Sequence, residues 1–171
     1  RKQALSPAPV DVNRLVSEME PLLRRALGEH IRIEAVEGVN LWPALVDAGQ
    51  MENALLNMAI NARDAMPNGG NLLIECNNVH LDSTYADKNP GAQVGDYVVV
   101  TVTDTGTGMT PEIIEKIFEP FFSTKELGKG TGLGLSTAYG IVKQSGGFIF
   151  ADNIIDKSGH PTGARFTVYF P

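Results

Sequence analysis

Gln50, Asn53, Asn57, Asn61 and Asp64 recur at spacings of three and four residues. On a helix turning about 100° per residue they lie within roughly 80° of one another. Asn is a mediocre helix former, so three in one helix cost stability. One reading of the row is a solvated polar face, although such faces normally use Lys and Glu. The sharper reading is a row of neutral oxygen donors one turn apart. Such donors suit Mg²⁺, which takes one or two protein oxygens and completes its shell with phosphate and water. Arg63 stands beside the stripe, either offsetting phosphate charge or sitting in solvent.

Asp104-Thr105-Gly106-Thr107-Gly108 follows the apolar run Tyr97 to Val102. A carboxylate at the end of a buried strand accepts hydrogen bonds and cannot donate them. It suits an exocyclic amine such as adenine N6, and the glycines let backbone lie against a flat ring. An ordinary strand-ending turn is the alternative. Further on, Gly128, Gly130, Gly132 and Gly134 alternate ahead of a helical pattern. Amides freed by glycine, together with a helix N-terminus, make an anion site. The spacing matches neither the P-loop nor the dinucleotide fingerprint. Upstream, Phe118, Phe121 and Phe122 lie in a segment without period and must bury themselves. With Lys125 and Lys129 either near the phosphates or solvated on a loop, Glu119 to Gly130 reads as a hinged lid expected to order on nucleotide binding.

The elements that position these groups follow from pattern. Asp11 caps a helix carrying Leu15, Met19, Leu22, Leu23 and Ala26, with Gly28 as its stop and a kink or break expected near Glu20 from Pro21. Ile31–Ala35 and Leu41–Val46 read as strands. Gln50–Met66 is a helix with Met51, Ala54, Leu55, Met58, Ala59, Ala62, Ala65 and Met66 on its apolar face, ended by Pro67-Asn68-Gly69-Gly70. Leu72–Val79 is a strand, His80 to Gly95 a loop, and Tyr97–Val102 a central buried strand. Pro111–Phe118 and Gly132–Ser145 read as helices, and Phe148–Ile155 and Arg165–Phe170 as the closing strands. Interspersed strands and helices without strict alternation imply an α+β two-layer sandwich, one sheet face covered by helices.

Composition narrows the function classes. With 171 residues and a net charge of -6, the chain suits one acidic domain rather than a nucleic-acid-binding surface. The single cysteine, Cys76, excludes an internal disulfide and a cysteine-rich zinc site. No apolar run approaches a membrane span. The start at Arg1, without Met, reads as a fragment of a longer protein.

The motifs in this order resemble the catalytic ATP-binding domain of bacterial sensor histidine kinases, in the superfamily shared with gyrase, the heat-shock chaperones and the mismatch-repair ATPases. Glu52–Met66 is similar to the asparagine box, Asp104–Gly108 to the first glycine box, Phe118–Lys125 to the phenylalanine box, and Gly130–Leu135 to the second glycine box. The resemblance covers about Asp11 to Pro171. It implies a mixed sheet of about five strands with three helices on one face and an ATP lid, with ATP and Mg²⁺ as ligands. It makes Asn61 the Mg²⁺ ligand and Asn57 its helper, Asp104 the acceptor for adenine N6, and Gly106 and Gly108 the lining of the base pocket. Lys125, Gly130, Thr131, Gly132, Leu133 and Gly134 fall to the lid and the phosphates.

The same resemblance implies transfer of the γ-phosphoryl group to a histidine on a dimerisation hairpin, followed by a receiver domain or response regulator, in the cytoplasm and with no membrane or nucleic-acid contact by this domain. Residues 1–10 then read as the linker left by that hairpin, and 11–171 as the catalytic domain. The alternatives are an ATP-hydrolysing module of the gyrase type and a non-catalytic nucleotide sensor. Asp64 stands where many such kinases carry a basic residue, leaving Arg63 or Lys125 to compensate. Asn57 stands where the gyrase and chaperone branches carry a glutamate base. His30, His80 and His160 are the only histidines, and none fits the phosphoacceptor context.

Overall fold

A computed structural model describes residues 6–119 and 134–171. Strand β1 (Ala8–Val10) pairs antiparallel with β3 (Ala44–Val46) in a small two-stranded sheet. The main sheet comprises β2 (Ile31–Val36), β4 (Gly70–Leu81), β5 (Gly95–Asp104), β7 (Pro161–Phe170) and β6 (Phe148–Ile155), in that spatial order. The β2–β4 pair is parallel and the other three are antiparallel. The expected mixed five-stranded sheet is therefore present, with Tyr97–Val102 inside its central strand.

Helices α1 (Val12–Leu27), α2 (Ala48–Asp64) and α5 (Gly134–Gln144) bury their apolar stripes on one face of this sheet. Period-two alternation sends Ile31, Ile33, Leu72, Ile74, Val98, Val100, Val102, Phe166 and Val168 into that core. Helix α2 packs against both α1 and α5. Its methionines and alanines let the neighbours approach closely, and Met51, Ala54, Leu55, Met58, Ala59, Ala62 and Met66 are all buried.

Several expectations change. Helix α1 runs unbroken through Pro21, because Pro21 and Ser17 are exposed and water can meet the Ser17 carbonyl that Pro21 leaves without a donor. Ala8–Val10, in the leading stretch, is a strand. Only Ala44–Val46 of the Leu41–Val46 run pairs. The stretch read as a loop from His80 holds the end of β4 and a short helix, α3 (Ser83–Lys88), capped by Asp82. Tyr85 from that excursion packs with Leu81, Tyr97, Val99, Phe148 and Tyr169 in a second core on the other sheet face. The helix read at Pro111 is α4 (Pro111–Lys116). Phe118 is half-buried, stacked 5.4 Å from Tyr139 and edge-on to Phe166. The rest of the lid reading, with Phe121, Phe122, Lys125, Lys129, Gly130, Thr131, Gly132 and Leu133, lies outside the described residues.

Candidate functional site

Helix α2 starts where the Asp47 side chain accepts from the Gln50 amide at 3.0 Å. Its apolar stripe fixes its rotation on the sheet, and that rotation decides where the asparagines point. Asn53 is exposed, while Asn57 and Asn61 are half-buried. Asn57 Nδ2 donates to Asn53 Oδ1 at 3.3 Å, which leaves Asn57 Oδ1 as an acceptor. The first residue of α5 lies beside it, since a Cβ placed on Gly134 would sit 3.7 Å from that oxygen. No described residue hydrogen-bonds the Asn61 carboxamide. The stripe is not one continuous site, because Gln50 lies at the far end in a groove with Pro7, Leu45 and Ile141. Arg63 links the stripe's last member to the end of α1. Its Nη1 donates to the Ala26 carbonyl at 3.0 Å, and its Nε to Asp64 Oδ1 at 3.3 Å. Half-exposed, Arg63 braces the C-terminal turn of α1.

Asp104 ends β5 with 2% of its surface exposed, the one buried charged residue among the described residues. Its Oδ1 accepts from the Gly106 amide at 2.9 Å and the Ala164 amide at 3.1 Å. No described residue donates to Oδ2. Burial raises its carboxyl above the ordinary carboxylate value, and the Gly106 and Ala164 amides oppose that shift. A buried carboxylate with one oxygen uncommitted can accept a hydrogen bond from a ligand N–H.

The turn after Asp104 returns to α2. The Thr107 amide donates to the Ala65 carbonyl at 3.3 Å. A Cβ on Gly106 would run into that same carbonyl, and Gly108 has φ +76° with Pro161 and Asn153 against it. The glycine requirement at both positions therefore arises within the protein, from close backbone approach and a left-handed φ. Clearance for a flat ring is not needed to explain it.

Asn57, Asn61 and Gly134 are thus gathered along α2, and the Asp104–Gly108 turn is held to the end of the same helix. His30 and His160 are exposed. His80, expected in a loop, is on β4 and pairs with Asp96 at 2.7 Å. Sequence reasoning missed two groups. The Ala164 amide carries no side-chain signal. Asn153, which bonds both backbone groups of Met109, does carry one: it continues the inward-facing series Ile149, Ala151, Asn153, where a strand wants an apolar residue.

Residues 46–171 match the family described as histidine kinase-, DNA gyrase B-, and HSP90-like ATPase. The whole chain is 43% identical to part of the sensor kinase CckA of Brucella abortus (strain 2308), covering 18% of that protein. It is 36% identical to part of the two-component sensor PprA of Pseudomonas aeruginosa, covering 17%. The chain therefore spans less than a fifth of these curated relatives. Among solved structures, full-length ShkA in complex with AMPPNP aligns over 100% of this chain and 32% of its own, at 27% identity and a TM-score of 0.75. The chain belongs to the histidine kinase-, DNA gyrase B-, and HSP90-like ATPases, as the catalytic ATP-binding domain of a sensor histidine kinase.

Proposed function

We propose that this domain binds Mg-ATP between α2, the Asp104–Gly108 turn and the start of α5, and passes the γ-phosphoryl group to a histidine on a separate helical hairpin of its parent protein. Asp104 carries the reading: a buried carboxylate with Oδ1 committed to two amides and Oδ2 to no described donor. That oxygen accepts from the exocyclic amine of adenine. Gly106 and Gly108 shape the wall beside it. The carboxamide oxygens of Asn61 and Asn57 would hold the metal ion, and Gly134 brings the start of α5 beside them, where helix-end amides favour phosphate. Bound Mg²⁺ would neutralise phosphate charge. Lys125, Gly130, Thr131, Gly132 and Leu133 are assigned to the phosphates on family resemblance alone.

Phosphoryl transfer needs positioning and charge neutralisation more than covalent help. An imidazole acceptor is already a nucleophile. Asn57, a carboxamide, cannot take a proton from water, which disfavours the hydrolytic module. The parent's acceptor hairpin, a receiver domain or response regulator, and a cytoplasmic setting complete the proposal. Among the described residues no helix is long and apolar enough to cross a membrane.

The test is calorimetric titration with Mg-ATP, followed by labelled-ATP transfer to the parent's hairpin. Binding with label on the hairpin histidine is expected. Stable label on His30, His80 or His160, or release of phosphate without any transfer, would overturn the transfer reading.

A further inference from the structure

Asn153 sits on β6 with its carboxamide spanning one residue of a distant turn. Its Oδ1 accepts from the Met109 amide at 2.7 Å, and its Nδ2 donates to the Met109 carbonyl at 2.6 Å. The two partners fix the orientation of the carboxamide, since only the oxygen can face the N–H. Met109 is buried, with 9% of its surface exposed, so its backbone groups have little access to water. The other end of the same turn is held by Asp104 Oδ1 on the Ala164 amide. Asn153 and Ala164 face each other in the β6–β7 register. One cross-strand pair therefore anchors both ends of the turn from Asp104 to Met109.

We propose that Asn153 is a positioning residue of the nucleotide site, fixing the Asp104–Met109 turn so that the free carboxylate oxygen of Asp104 meets the base at one distance and angle. It touches no ligand and acts through the backbone. This rests on the reading of Asp104 as the base acceptor. With Asp104 held at Ala164 and Thr107 at Ala65, the Met109 end of the turn would still be free to move without Asn153. The Asn153 anchor removes that freedom before ligand arrives, so less ordering remains to be done on binding.

The molecule supplies its own control. Asn78 on β4 makes an equivalent clamp on the β2–β3 connection, accepting from the Trp42 amide at 2.8 Å and donating to the Asn40 carbonyl at 2.9 Å. Asn153→Asp and Asn78→Asp each keep the size of the side chain and set an oxygen against a carbonyl, one clamp in contact with the turn and the other not.

Calorimetry of the 171-residue chain with Mg-ADP and Mg-IDP, beside thermal melts, separates the outcomes. Asn153→Asp is expected to bind ADP about tenfold more weakly and to lose its preference for ADP over IDP. Asn78→Asp should keep native affinity and preference. Native-like discrimination in a folded Asn153→Asp variant, or an equal loss in both variants, overturns the inference. Absence of ADP binding by the native chain overturns the nucleotide reading itself, and this inference with it. If Asn153→Asp does not fold, hydrogen exchange on the native chain decides. The Met109 amide should be as protected as the β5 ladder, and exchange as fast as at an exposed turn amide overturns the clamp.

Discussion

Helices α1 and α2 have nearly the same length and the same N-terminal device, yet their polar faces differ. Asp11 caps α1 and Asp47 caps α2, each accepting from the amide three residues on. Beyond the cap, α1 pairs four of its charges along its own surface, Arg14 with Glu18 and Arg24 with Glu20. Helix α2 instead carries Asn53, Asn57 and Asn61, with only the first two bonded to each other. The α1 pattern satisfies itself and needs no ligand. The α2 pattern spends helix propensity on groups that stay uncommitted, which makes sense where something else will bind them.

The largest effect should separate activity from stability. Asn61→Ala removes a carboxamide with no described partner and replaces a mediocre helix former with the best one. Folding stability should be unchanged or rise by about 0.5 kcal/mol. Phosphoryl transfer by the parent kinase should fall by about 100-fold or more, because the metal loses a protein anchor. A melt and a transfer assay on the same variant check both. Retained transfer would make the α2 stripe as ordinary as the α1 face.

Asp104→Asn comes next. The amide oxygen can keep the Gly106 and Ala164 bonds, and the new NH₂ then faces the base. ADP affinity should drop by about 1–3 kcal/mol. Stability should move the other way. Burial raises the folded-state pKa of Asp104 above its unfolded value, so the native state binds the extra proton and ionisation opposes folding. Stability from this residue is highest below the unfolded pKa and falls as pH rises through the folded one. The ligand-free variant should therefore melt at or above the native temperature at pH 7, with the gap closing in acid. A variant that melts lower at pH 7 would contradict an uncommitted, desolvated carboxylate.

Much of this site was legible in the sequence because its parts are local. The i, i+4 asparagines, the strand running into Asp104 and the glycines after it are short-range patterns. What was not legible depends on pairing at a distance. Ala8–Val10 becomes a strand only because Ala44–Val46 lies opposite. The bond from Arg63 to the Ala26 carbonyl joins residues 37 apart in sequence, which no local pattern announces. Gly106 looked like clearance for a base, and the obstacle turned out to be Ala65. Pro21 breaks no helix because it faces water. Each is a tertiary fact overriding a local propensity.

A smaller effect tests the caps that the two helices share. Ser6 and Gln50 amides hold the Asp47 carboxyl below its ordinary value, the Ser6 bond being the larger cause. A depressed folded-state pKa contributes stability above the unfolded value of 3.8 that is lost as pH falls through the folded value. Asp47→Ala should lower the melting temperature at pH 7, with the difference shrinking in acid, the opposite trend to Asp104→Asn. Melts from pH 7 down to about 3 check it. Parallel trends in the two variants would mean that cap and site aspartates do not differ.

The smallest expected effect belongs to the α1 face. Glu20 stands N-terminal to Arg24 at i, i+4, the orientation that also suits the helix dipole, whereas Arg14 and Glu18 are reversed. All four side chains are largely exposed, so solvent and salt screen both pairs. Glu20→Gln should cost about 0.3–0.5 kcal/mol in low salt and Glu18→Gln less, with both differences fading as ionic strength rises. Denaturant melts at two salt concentrations measure this, and ADP affinity should not move in either variant. A shift in nucleotide affinity from Glu20→Gln would place α1 in contact with the site. It would then dissolve the distinction between a helix that satisfies its own polar groups and one that holds them open.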